Sequence, residues 1–261
     1  MGQTPLLKIE NLSIVFGGLR AVDNVSVHVN EGEFVGLIGP NGAGKTTFFN
    51  CVTGYITPTE GHISMAGKKL DKMSPAKISH VGISRTFQNI RIFPKMSVLE
   101  NVCVPMHSTP DYSILTAMLG LPSVKKARLD VERRANELLE LLGLSEYKDR
   151  QAGTLAYGLQ RRLEIARALA ASPKLLLLDE PAAGMNNDEV NELIELLKEI
   201  KECFNLTIVL IEHHIDMVLR LCPRIYVLNL GSVLAEGTPE EIQNNPAVIK
   251  AYLGNRRQKH E

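Results

Sequence analysis

An α/β fold built on a parallel sheet is what this 261-residue chain predicts, and three observations predict it. Short apolar runs rich in Val, Ile and Leu recur in the C-terminal half with long helical patterns between them, the alternation that parallel strands and crossover helices require. One run, Glu33-Phe-Val-Gly-Leu-Ile38, passes directly into a glycine-rich turn and then into a helical pattern starting near Lys45. Another, Leu175-Leu-Leu-Leu178, is apolar at every position, as a strand covered on both faces must be.

Taken in order, strands are expected over 6–15, 25–29, 33–38, 61–65, 83–87, 174–179, 206–212 and 224–229. The early ones are separated by short turns, which suits an antiparallel sheet; the later ones suit a parallel sheet. Helices are expected over 97–106, 124–142 and 158–171. They define a helical subdomain over about 89–171, leaving 1–88 and 172–254 as a single α/β domain with an antiparallel β subdomain. The helix over 124–142 places Val131, Ala135, Leu138, Leu139 and Leu142 at three- and four-residue steps, the stripe of an amphipathic core helix. In 107–123, Pro110, Gly120 and Pro122 surround the apolar stretch 112–119, which reads as a loop with a short packed helix. Thr238-Pro-Glu-Glu241 is a helix start with acids near the positive dipole end, and the polar tail 255–261 is expected to fray.

Composition excludes several classes. With 44% hydrophobic residues the chain can bury a core. Lys plus Arg equals Asp plus Glu at 29 each, so no net basic field recruits nucleic acid. Cys51, Cys103, Cys203 and Cys222 lie far apart with no Cys-x-x-Cys pairing, which points to reduced thiols rather than disulfides or zinc. The N-terminus shows no secretory signal, and no apolar run approaches the ~20 residues of a membrane span. Any work at a membrane needs another chain to cross it.

The turn at 39–47 reads Gly-Pro-Asn-Gly-Ala-Gly-Lys-Thr-Thr, the spacing of a phosphate-binding P-loop. Gly39, Asn41, Gly42, Ala43 and Gly44 expose consecutive backbone N–H groups, and the helix beyond them adds its positive end. Lys45 reaches the β- and γ-phosphates, the Thr46 hydroxyl is placed to ligate Mg²⁺, and Thr47 lies in the same first helical turn. The expected ligand is therefore a nucleoside triphosphate with Mg²⁺. Leu175-Leu-Leu-Leu-Asp-Glu180 supplies the second element such a site requires, with Asp179 for the metal and Glu180 to polarise the attacking water.

The order of five motifs carries a resemblance: the P-loop, Arg85-Thr-Phe-Gln-Asn89, Leu155-Ala-Tyr-Gly-Leu159 with the basic helix after it, Leu178-Asp-Glu-Pro181 and Ile211-Glu-His213. From about Leu6 to Gly254 the chain resembles the ATP-binding subunit of an ABC transporter, a P-loop NTPase with an antiparallel β subdomain and a helical subdomain. The resemblance implies that Phe16 stacks on adenine, that Gln88 senses the γ-phosphate and Mg²⁺, and that His213 contacts the γ-phosphate. It also implies that Tyr157 and Gly158 belong to a signature segment acting on ATP held by the opposite subunit. Ala156 and Leu159 depart from the usual Leu-Ser-Gly-Gly-Gln. The loss of one neutral hydrogen bond, roughly 0.5–1.5 kcal/mol, weakens such a site without killing it.

Further segments, among them Phe16-Gly-Gly-Leu-Arg-Ala-Val22, Glu180-Pro-Ala-Ala-Gly-Met-Asn186 and Asn245-Pro-Ala-Val-Ile-Lys-Ala-Tyr-Leu-Gly254, resemble the ATP-binding subunit of prokaryotic high-affinity branched-chain amino acid importers. That resemblance implies a dimer, heterodimeric in the cell, on the cytoplasmic face of the membrane, with two permeases and an upstream solute-binding protein. ATPases of urea or amide importers and of lipopolysaccharide exporters are similar; a soluble ABC protein outside transport is the third alternative. The apolar set Ile90, Ile92, Phe93 and Met96 is a candidate permease contact or subdomain core.

Overall fold

The computed structural model describes residues 5–106 and 122–257. The short helix expected within 112–119 lies outside them, as does the end of the tail, 258–261. The chain divides into two units, Met1–Arg85 with Lys174–Glu261, and Thr86–Pro173.

In the first unit, β1 (Leu7–Phe16) and β2 (Leu19–Val29) form an antiparallel hairpin whose turn is Gly17-Gly18, with φ of 51° and 91°. Two positive φ values in a two-residue turn match the twist of the flanking strands, so pairing begins at once with Phe16 opposite Leu19. The second strand consequently starts six residues before the expected 25. β3 (Phe34–Ile38) is buried throughout and is followed by α1 (Lys45–Val52). β4 (Glu60–Met65) and β5 (Lys68–Lys69) complete a four-stranded antiparallel sheet in the order β2-β1-β4-β5. After α2 (Pro75–Val81) comes β6 (Ile83–Arg85).

The second unit holds α3 (Val98–Met106), α4 (Pro122–Leu141) and α5 (Tyr157–Ala170), close to the ranges expected. Its apolar interior includes Val98, Val102, Ala135, Leu138, Leu139, Leu142, Leu163 and Ala166. Of the five stripe residues, Ala135, Leu138 and Leu139 of α4 and Leu142 just after it are thus buried, and Val131 lies at the margin.

Back in the first unit come β7 (Leu175–Asp179), α6 (Asn187–Phe204), β8 (Thr207–Ile211), α7 (Ile215–Leu221), β9 (Arg224–Asn229) and β10 (Ser232–Gly237). They join β3 and β6 in a six-stranded sheet of order β10-β9-β3-β8-β7-β6, parallel except for β10. One apolar cluster draws on both sheets and on α1, through residues such as Ile9, Val27, Phe48, Phe49, Leu177 and Ile211. Burying a ring such as Phe49, with no exposed surface, contributes about 1.5–3 kcal/mol, which ties the start of α1 firmly to the strand ends.

Two helix starts show how local chemistry sets the boundaries. Asn186 accepts hydrogen bonds from the N–H groups of Asp188 and Glu189, and Glu189 accepts one from Asn186, a closed capping box at the start of α6. Asn186→Ala is expected to cost about 1 kcal/mol, read as a lowered midpoint in urea unfolding. After α8 (Pro239–Gln243), the Asn245 side chain accepts from Ala247 and Val248 and starts α9 (Pro246–Arg257). α9 thereby takes in the first three residues of the polar tail read from 255 onward. Asn255, Arg256 and Arg257 contain no helix breaker, and a nucleated helix propagates at little cost through polar residues.

Candidate functional site

The site is built where β3, β7 and β8 end together. Leu37 and Asp179 both lie in register with Ile211, so the turns leaving β3 and β7 and the loop leaving β8 emerge side by side. From β3 the chain runs through 39–44 into α1. A side chain at Gly39 would put its Cβ 2.2 Å from the Leu228 carbonyl oxygen, and one at Gly44, whose φ is 97°, would lie 2.5 Å from that of Ala21. Only glycine fits either place. The turn after β9 supports the loop from behind, the Gly231 N–H donating to the Ala43 carbonyl at 3.1 Å. Asn41, Gly42 and Thr46 are exposed, Thr47 is half-buried and Ala43 is buried. The first-turn N–H groups of α1 have no acceptor within the helix and carry its positive end.

Lys45 is only 6% exposed, and its Nζ donates to the carbonyls of Gly39 at 2.7 Å and Pro40 at 3.1 Å. Burial holds its pKa below the usual lysine value, and the negative charges of Glu180 and Asp179 work against that shift. The ammonium is thus held under the loop, within the field of Asp179, the last residue of β7, and of Glu180 after it. Asp179 is buried and accepts from Arg85 Nη2 at 2.6 Å; Arg85 Nη1 also donates to Asn50 of α1 at 2.7 Å. This charge pair fastens the last residue of β7 to β6 and α1.

Glu180 follows in the left-handed region at φ 49°, uncommon for a residue with a long side chain, with its N–H donating to the Ile211 carbonyl at 2.8 Å. Its Oε1 lies 2.9 Å from Nε2 of His213. His213 is positioned by Glu212, a carboxylate 1% exposed, which accepts the N–H groups of His213 at 2.8 Å and His214 at 3.2 Å through one oxygen and that of Ala182 at 2.7 Å through the other. The backbones leaving β7 and β8 are thereby tied to one buried acid.

Of the residues expected from sequence, the first unit brings together the 39–47 loop, Asp179, Glu180 and His213. Phe16 ends β1 beside the Gly17-Gly18 turn and is 48% exposed, a ring offered to solvent rather than core. In the second unit, Tyr157 is 47% exposed at the start of α5, Gly158 is half-buried beside it and Gln88 is exposed. Ala156 precedes α5 without a side-chain cap, as the missing hydroxyl dictates. Ile90, Ile92 and Met96 are half-buried and Phe93 is 42% exposed, so this set is not closed core.

Three residues were not assigned roles from sequence. Arg85 and Glu212 stand inside recognised motifs, where a charge next to an apolar run gives the only hint of burial. Tyr252, on α9, meets the Gly39 backbone. Burial pushes its phenol up to about 12, against the lowering effect of that hydrogen bond.

Among the described residues no cluster of three or more His, Cys, Asp or Glu is built to hold a metal alone. The donors at hand, the Thr46 hydroxyl and the Asp179 carboxylate, are hard oxygen ligands of the sort that suit Mg²⁺ shared with phosphate oxygens and water. The residues fit that ion. Among the described residues no helix is long and apolar enough to cross a membrane.

Residues 22–183 match the ABC transporter family, and residues 232–257 match the branched-chain amino acid ATP-binding cassette transporter family. A high-affinity branched-chain amino acid transport ATP-binding protein of Salmonella typhimurium is 49% identical over 250 residues, which is 96% of this chain and 98% of that protein. The crystal structure of the ADP conformation of an ATP-binding cassette of an ABC transporter is similar with a TM-score of 0.83 and 34% identity, covering 97% of this chain and 100% of that one. A dimeric cassette in a post-hydrolysis state, bound to ADP and Pi, is similar with a TM-score of 0.75 and 27% identity, covering 89% of this chain and 98% of that one. On the loop at 39–47, the acids ending β7 and these likenesses, the chain belongs to the ABC transporter family as an ATP-binding cassette.

Proposed function

We propose that this cassette hydrolyses ATP with Mg²⁺ to power import of branched-chain amino acids, working as a dimer on the cytoplasmic face of a membrane with permease subunits and a solute-binding protein upstream. The observation that carries the cargo is the match of residues 232–257 to the branched-chain amino acid cassettes, added to 49% identity with one such protein. Similar ATPases serve other cargoes, and the match over 232–257 favours branched-chain amino acids over urea, amides or lipopolysaccharide.

The proposed chemistry follows the geometry. Backbone N–H groups of 39–44 and the start of α1 cradle the phosphates, and Lys45 exchanges its two carbonyl partners for phosphate oxygens. Thr46, Asp179 and Gln88 are the residues assigned to Mg²⁺, which would supply charge neutralisation at the phosphates. Glu180 takes the proton of the attacking water. His213, held by Glu212 and bonded to Glu180, donates to the γ-phosphate as charge develops on it. Phe16 offers its exposed face to adenine. One chain carries one phosphate loop and one signature segment, so Tyr157 and Gly158 are assigned to the nucleotide of the facing subunit, and the working unit is a pair.

Deletion of the gene in its source organism is expected to abolish high-affinity uptake of labelled leucine, isoleucine and valine, restored by the parent chain and not by Glu180→Gln. Unchanged leucine uptake with loss of urea uptake would move the cargo to the alternative. Purification from native membranes in mild detergent is expected to recover two permeases and a second, similar ATPase; recovery of this ATPase alone with permeases would make the pair a homodimer.

A further inference from the structure

The segment between β6 and α3 has no strand or helix to satisfy its backbone, and side chains of α5 do so instead. Arg161, with no exposed surface, donates from Nη1 to the Phe87 carbonyl at 2.7 Å and from Nη2 to the Gln88 carbonyl at 2.9 Å. Glu164, 4% exposed, accepts the N–H groups of Phe87 at 3.2 Å and Arg91 at 3.1 Å. The two side chains close on each other at 2.8 Å. Arg161 Nη2 also donates to the phenol oxygen of Tyr157 at 3.1 Å, and Tyr157 is the first residue of α5. One guanidinium therefore touches Gln88 on one side and the signature turn on the other.

Energetics separate a positioning role from a stabilising one. Taking a guanidinium and a carboxylate out of water costs about what their attraction returns, so the ion pair by itself adds little to the fold. What an apolar pair in its place cannot do is fix four backbone groups around Gln88. We propose that Arg161 and Glu164 are positioning residues that lock the Gln88 segment to the start of α5, so that Gln88 and the Tyr157-Gly158 turn move as one body through the hydrolytic cycle. The inference rests on the reading of the site as an ATPase in which Gln88 acts, and it asks neither side chain to touch nucleotide.

The experiment compares the full-length parent with Arg161→Met/Glu164→Leu and with Arg161→Lys, the latter keeping the charge while losing the fork that spans both carbonyls. Steady-state MgATP hydrolysis, MgATP affinity by calorimetry, thermal midpoint and amide hydrogen exchange are read on each. In both variants kcat is expected to fall at least about tenfold with KM and MgATP affinity within about twofold, since an interaction lost only on the way to the transition state moves kcat alone. The double variant is expected to melt below the parent, since four backbone groups lose their side-chain partners, with the Phe87 and Arg91 amides exchanging at least about tenfold faster. Should the double variant fail to fold, Arg161→Lys carries the kinetic test alone. A kcat within about twofold of the parent in either folded variant overturns the inference. A parent that binds MgATP without hydrolysing it sinks the ATPase reading and this inference together, a result seen before any variant is made; slow variants of an active parent support both.

Discussion

Glu180→Gln is expected to lower ATP turnover by roughly 10²–10⁴-fold, the range that a positioned proton acceptor contributes, while leaving MgATP affinity near that of the parent. The amide has the length of the carboxylate, and its carbonyl oxygen can still face His213 Nε2, which lies 2.9 Å from the carboxylate. The left-handed backbone at 180, its bond to the Ile211 carbonyl and the Glu212 anchor are untouched. Only the ability to accept a proton from water disappears. Because binding survives and hydrolysis does not, the closed dimer should accumulate with MgATP, visible as a shift from monomer to dimer in size-exclusion chromatography with light scattering. Near-normal hydrolysis would remove Glu180 from the base role. Asp179 is a poor substitute, since it is buried and engaged by Arg85 at 2.6 Å.

The strands legible in the sequence are those whose burial is uniform. β3, β7 and β8 are buried at every position, and a five-residue apolar run can be read directly. β10 was not read because it is an edge strand, half-buried along most of its length, so Ser232-Val-Leu-Ala-Glu-Gly237 carries neither an apolar run nor an alternation. The first half of β2 was missed for a related reason. Arg20, Asp23 and Asn24 argue for loop, and the strand is set instead by the register that the Gly17-Gly18 turn imposes. In the site, the glycine spacing announced the phosphate loop, but the reason for Gly39 is a carbonyl from residue 228, remote in sequence. Buried charges were the least legible feature. Arg85, Arg161, Glu164 and Glu212 have the composition of solvent-facing residues, and only the fold shows that each is paired with another charge or with backbone groups.

Lys45→Met is the substitution expected to separate binding from stability. An ammonium donating to phosphate makes charge-assisted bonds worth about 1.5–3 kcal/mol each, so its removal should weaken MgATP binding by roughly tenfold to a hundredfold or more in a calorimetric titration. The folded protein should lose little. Burial lowers the Lys45 pKa from its ordinary 10.5, which means the folded state binds this proton less tightly than the unfolded one. A cation with that sign of shift burdens the fold at neutral pH, and the burden fades as pH rises through the folded pKa toward 10.5. Met removes it while keeping a chain of similar length in the space. Against this gain stands the loss of the bonds to the Gly39 and Pro40 carbonyls. The two effects oppose each other, so the thermal midpoint at pH 7 is expected to stay within a few degrees of the parent's, with about 1 kcal/mol corresponding to 2–4 °C in a chain of this size. At pH 10, where the parent is relieved of part of its burden, the variant should compare less favourably than at pH 7. A large drop in midpoint at both pH values would instead make Lys45 a structural strut of the loop; intact MgATP affinity would remove it from phosphate binding.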